Sequence, residues 1–232
     1  MKESETLLIG ITGGIGTGQT TVAKLFEKFG AHLINADQVG HYLLNNDEEV
    51  KEAVLRVFGK KVFDQNQHVN RKELGKIVFG DESQLQRLNR IMHPIMVTHI
   101  IEAIEKARSG GKFPMVVLDA ALIYEIQMEQ LFDAVVVVSA RTNLRIERVS
   151  ARDEVDEVEV RNRMNRQIPI TDKVKWADFV IHNNGDLASL EDKTRKIYNR
   201  ILGRIKSMET RIQKRRRGPS RRGGRQDNAA KK

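Results

Sequence analysis

Eight residues near the amino terminus, Gly13-Gly14-Ile15-Gly16-Thr17-Gly18-Gln19-Thr20, decide most of what this chain can be. They follow an apolar run, Thr6–Thr12, and precede a stripe, Thr20–Phe29, with apolar residues at Val22, Ala23, Leu25, Phe26 and Phe29. A glycine-rich turn between a buried strand and a helix start is the setting of a phosphate loop. Glycines allow close backbone approach and positive φ, so successive N–H groups converge on phosphate oxygens. The helix aims its positive end at the same anion. Gly13 and Gly18 keep the spacing of G-x-x-x-x-G-K-[ST]. A dinucleotide loop starting at Gly14 would need glycine where Gln19 stands. A ligand-free turn is the bland reading, and helix context and spacing oppose it.

The lysine position of that pattern is Gln19, and Thr20 stands where a hydroxyl ligates Mg²⁺. Glutamine donates a hydrogen bond but balances no phosphate charge. Losing one charged transition-state contact costs roughly 3–4 kcal/mol, or 10²–10³ in rate. Two readings stay open: another cation substitutes and the protein is a kinase, or it binds nucleotide with little catalysis.

Further apolar runs at His32–Ile34, Met115–Leu118, Ala134–Val138 and Val180-Ile181 read as short strands. Residues 37–109 read mostly as helix, broken near 59–69 and at Gly80-Asp81, with Pro94 opening a long helix to Arg108. A helix from Leu187 to about Met208 closes the body. Strands alternating with helices give an α/β fold with a parallel sheet. The charged stretch 153–170 reads as an exposed helical flap, and Trp176 as core.

Asp37 falls at the end of the second strand, where open α/β sheets face their ligand crevice. A carboxylate there could accept the proton of an attacking hydroxyl; the plain alternative is a helix cap. Asp119 ends an apolar strand, as a carboxylate reaching a Mg²⁺ shell does. Arg148 and Arg152 share a helix face, and Arg163 and Arg166 follow on the flap. Guanidinium forks suit phosphate oxygens and could replace the missing charge; a solvated helix laced with Glu147, Asp153 and Glu154 is the alternative. His93 reads as structural.

The net charge of +9 is local. Of 40 basic and 31 acidic residues, ten and one lie in 211–232, so 1–210 holds 30 of each. The tail, 209–232, is expected to be disordered, because it has almost no apolar residue to bury. Its charge suits nonspecific contact with nucleic acid, or simply aids solubility. With no cysteine, thiolate catalysis and disulfide scaffolds are excluded. No apolar run approaches a membrane span and no signal-peptide pattern is present, so a cytoplasmic protein is expected.

Taken in order, these pieces resemble the dephospho-coenzyme A kinase family over about residues 7–200. Leu8–Gly18 is similar to its opening strand and P-loop. Ile34-Asn35-Ala36-Asp37 resembles its Asp-Ala-Asp segment, with Asn35 for the first Asp. His93-Pro94, Val117–Glu125 (Ala121 for a proline), Glu147-Arg148, Arg152-Asp153, Arg163…Gln167 and Ala177-Asp178…Asn183-Asn184-Gly185 complete the set. The resemblance implies a P-loop NTPase fold of the nucleoside-monophosphate-kinase type over 1–208. It implies a helical coenzyme A-binding part near 37–92 and a lid near 153–170. It implies transfer of the ATP γ-phosphoryl group to the 3′-hydroxyl of dephospho-coenzyme A. A monomer is expected. Asp37 and Arg148 would be catalytic. Gly13, Gly14, Ile15, Gly16, Thr17, Gly18, Gln19, Thr20 and Thr21 would hold ATP, with Arg163 on its phosphates and Asn183 near its adenine. Thr20 and Asp119 would ligate Mg²⁺.

Overall fold

The computed structural model describes residues 6–217. Five parallel strands form one sheet in the order β2-β3-β1-β4-β5. They are β1 (Leu7–Gly13), β2 (His32–Asn35), β3 (Met115–Asp119), β4 (Ala134–Ser139) and β5 (Phe179–His182). β3 and β4 are buried at every position, because helices cover both faces. Alternation then sorts side chains between two cores. Met115 and Val117 join Ile9, Ile11, Phe26 and Tyr198 on one face, while Val116 and Leu118 join Leu8, Ile34, Ile100 and Ile104 on the other.

The first face is covered by α1 (Gln19–Lys28) and α9 (Leu187–Arg217). Between β2 and β3 run α2 (Ala36–Asn46), α3 (Glu48–Phe58), α4 (Arg71–Gly80) and α5 (Glu82–Ser109). Together they enclose a separate apolar cluster around Leu43, Val50, Val54 and Leu74. The later part of α5 leaves that cluster and lays Ile100 and Ile104 on the sheet. One helix therefore ties the helical layer to the sheet. α6 (Thr142–Asp153), α7 (Glu157–Asn165) and α8 (Ile170–Trp176) complete the fold between β4 and β5.

Several local expectations are corrected. Pro94 lies inside α5 rather than opening a helix. Asp81 caps that helix by accepting from Ser83 N at 2.8 Å, and burial along α5 outweighs the roughly 3 kcal/mol an interior proline costs. α9 runs to Arg217, past Met208, because no proline interrupts it before Pro219. The expected disorder thus meets a helix over 209–217, and its remainder, 218–232, lies outside the described residues. The charged flap is helical and largely exposed, as expected, and is held to the body by Val160, buried against Ile146 and Val149. Trp176 is 55% exposed, edge-on to Tyr124, rather than core. Among the described residues, no helix is long and apolar enough to cross a membrane.

Candidate active site

The loop between β1 and α1 curls around a point in front of the α1 N-terminus. Gly16 and Gly18 take φ of 77° and 86°, which a side chain rarely adopts. A Cβ on Gly18 would also collide with Asn183 Nδ2. That amide fixes the loop by donating to Thr17 O at 2.9 Å. Ile15 is held from both sides: its N–H donates to Gln167 Oε1 at 2.9 Å, and its carbonyl accepts from Arg145 Nε at 2.8 Å. Thr17 Oγ1 is buried without a hydrogen-bond partner.

Beneath the loop lies Lys173, wholly buried. Its ammonium donates to Gly13 O at 3.2 Å and Ala121 O at 2.9 Å, and pairs with Glu125 Oε1 at 2.7 Å. Burial lowers its pKa, while Glu125 opposes that shift. One cation thus joins the loop, the segment after β3, and α8.

Strand pairing assembles the carboxylate side of the site. β2–β3 register sets Asn35 opposite Asp119, and β1–β3 register sets Ile11 there too. Asp119 is only 3% exposed. Its Oδ1 accepts from Gln19 Nε2 at 2.5 Å and its Oδ2 from Asn35 Nδ2 at 2.7 Å. Burial pushes its carboxyl above the ordinary range. Gln19, Thr20 and Asn35 oppose the shift as donors, and the Asp37 charge adds to it. The carboxamide oxygen of Asn35 caps α2, Oδ1 accepting from Gln38 N at 2.8 Å. The capping alternative for Asp37 therefore fails: Asn35 is the cap, and Asp37 stands exposed in the first helical turn.

Two cavities meet at Asp37. The more polar one, about 420 Å³, is lined by loop residues including Gly18, Gln19 and Thr20, and by Arg148 and Arg152. The other, about 100 Å³ and largely apolar, is lined by His93, Met96, Leu118 and Ile123 among others. Asp37 and Ala121 border both. Arg148 is steadied by Nη1 donating to Asn183 O at 3.2 Å, and Arg152 by Nε donating to Asp153 Oδ1 at 2.7 Å.

The structure brings together the loop, Thr20, Thr21, Asp37, Asp119 and Arg148. It places Arg163 elsewhere: Nη1 pairs with Asp153 Oδ2 at 2.7 Å, Nη2 pairs with Glu159, and Arg163 does not line the phosphate cavity. Asn183 does not line it either and braces the loop from behind. Sequence reasoning missed Arg145 and Lys173. No local signal separates buried Lys173 from Lys175, whose side chain is 70% exposed two residues on.

A glycine-rich loop at the C-terminal edge of a parallel sheet, with a hydroxyl, a buried strand-end carboxylate and cavity arginines, defines a P-loop kinase. A family model described as dephospho-CoA kinase matches residues 7–189. A Leptospira interrogans dephospho-CoA kinase is 32% identical over 201 residues, covering 87% of this chain and 96% of its own. A solved Thermus thermophilus protein superposes with a TM-score of 0.70 at 28% identity, covering 84% of this chain and 98% of its own. Campylobacter jejuni dephospho-CoA kinase shares the fold, with a TM-score of 0.63 at 24% identity, over 84% of this chain and 97% of its own. The chain belongs to the dephospho-CoA kinase family.

Proposed function

We propose that the chain transfers the γ-phosphoryl group of ATP to the 3′-hydroxyl of dephospho-coenzyme A. The observation that carries this reading is the position of Asp37, bordering the phosphate cavity and the apolar cavity at once. The nucleotide's phosphates occupy the first and the acceptor enters from the second. Asp37 orients the acceptor hydroxyl and takes its proton as oxygen attacks the γ-phosphorus. The bond to the β–γ bridging oxygen breaks and ADP leaves. Arg148 and Arg152 steady the charge of the group in transit, work that a loop lysine would otherwise share.

Thr20 and Asp119 suit Mg²⁺, since a hydroxyl beside a buried strand-end carboxylate is a pair of hard oxygen donors. Bound there, the ion would neutralise charge on the β- and γ-phosphate oxygens. The test is incubation of purified protein with Mg²⁺-ATP and dephospho-coenzyme A, reading coenzyme A by mass and its phosphate by NMR. Product phosphorylated at the 3′-hydroxyl is expected. Tight ATP binding without product would contradict it and support a nucleotide binder instead. That second reading is favoured by one contact, the Gln19 amide spent on Asp119.

The basic tail adds a separable proposal, resting on its charge alone. Salt-sensitive RNA binding lost on deletion of 211–232 is expected. Equal binding by the shortened chain would count against it.

A further inference from the structure

We propose that Gln19 and Asn35 form one charge-matched pair of positioning residues for Asp119, so that a neutral side chain at 19 is workable because 35 is neutral too. The turnover arm of this inference rests on the kinase reading above.

Both carboxamides spend an N–H on the same buried carboxylate, one on each oxygen: Gln19 Nε2 on Oδ1 at 2.5 Å and Asn35 Nδ2 on Oδ2 at 2.7 Å. The orientation of Asn35 is fixed rather than chosen. Its Oδ1 caps α2 through Gln38 N, so its amino group must face Asp119. Capping alone does not select asparagine, since aspartate caps as well. The contact with Asp119 does select it. An aspartate in this register would turn its second oxygen onto an Asp119 oxygen, carboxylate against carboxylate.

Charge counting joins the two positions. Gln19, Asn35 and Asp119 together carry one negative charge. Lysine at 19 with aspartate at 35 would carry the same. Either change alone would shift the cluster by one unit inside a pocket where Asp119 is 3% exposed. Asn35→Asp leaves two facing carboxylates without a cation. Gln19→Lys gives Asp119 an ammonium partner that competes with any metal for its oxygens. The two departures from the expected pattern are therefore one compensated change.

The test is a double-mutant cycle of wild type, Gln19→Lys, Asn35→Asp and the double variant. It is read first as denaturant unfolding of nucleotide-free protein at pH 7, then as turnover. Each single substitution is expected to lower turnover, with the double exceeding the product of the singles by about tenfold or more. The unfolding cycle should show the same sign, Gln19→Lys offsetting the damage done by Asn35→Asp. If Asn35→Asp does not fold alone, folding of the double variant is itself the expected rescue. Asn35→Ser keeps a cap without the second charge, and Gln19→Lys should not rescue it. Additive unfolding energies, or a gain in turnover from Gln19→Lys alone, would overturn the pairing. Coupling in unfolding with no turnover in any variant would uphold the pair while removing the kinase reading.

Discussion

Lys173 Nζ lies 2.7 Å from Glu125 Oε1, and this ion pair sits directly under the phosphate loop. The lysine is wholly buried, and the Glu125 side chain is 16% exposed. Removing one partner leaves an uncompensated charge and strips a donor from the carbonyls of Gly13 and Ala121. Lys173→Met is expected to cost about 3–5 kcal/mol in urea unfolding. Lys173→Met with Glu125→Leu should recover much of that stability. ATP affinity should stay weakened, because the Gly13 carbonyl has still lost its anchor.

Asn183 is a brace behind the loop, and its removal should be felt in nucleotide binding. Asn183→Ala leaves the buried Thr17 carbonyl without this donor, a loss of about 1–3 kcal/mol. Calorimetric titration should show weaker ATP binding, with kcat at saturating ATP changed less than KM.

Much of this architecture was legible in the chain itself. Glycine spacing between an apolar run and an amphipathic stripe locates the loop, and short apolar runs locate four further strands. Asp119 and Arg148 stand out as candidates because one ends a strand and the other shares a helix face with Arg152, while Asp37, expected at the end of a strand, lies two residues past β2 in the first turn of α2. What escaped depends on long-range packing. Lys173 and Arg145 look like surface cations, yet tertiary contacts bury both, at 0% and 4% exposure. Asn35 reads as a simple replacement, and only strand register reveals its two simultaneous bonds. Arg163 matches a motif position, but the neighbouring acids Asp153 and Glu159 hold it against α6 and α7.

Arg148 and Arg152 are expected to carry the charge that the loop lacks. Arg148→Met should lower kcat by roughly 10²–10³, comparable to removal of one preorganised transition-state donor. A loss smaller than about threefold, measured at saturating ATP and acceptor, would mean that another cation does this work.

Asp153 links Arg152 and Arg163 to acid stability. Arg152 above all, then Arg163, holds its carboxyl below the ordinary 3.8. A depressed folded-state pKa means that the unfolded chain binds the proton first. The contribution is therefore complete above pH 3.8 and is lost as pH falls through the folded-state value. Asp153→Asn should flatten the acid side of the stability profile as pH falls below the ordinary 3.8. Unchanged acid dependence in that variant would remove the pair from the account.

The proposed reaction turns on Asp37 handling the acceptor hydroxyl where the two cavities meet. Its most direct test is steady-state turnover of dephospho-coenzyme A by wild type and Asp37→Asn, with ATP affinity measured separately. A fall in kcat of about 10²–10⁴ with ATP binding retained is expected. Turnover within a few-fold of wild type would contradict it.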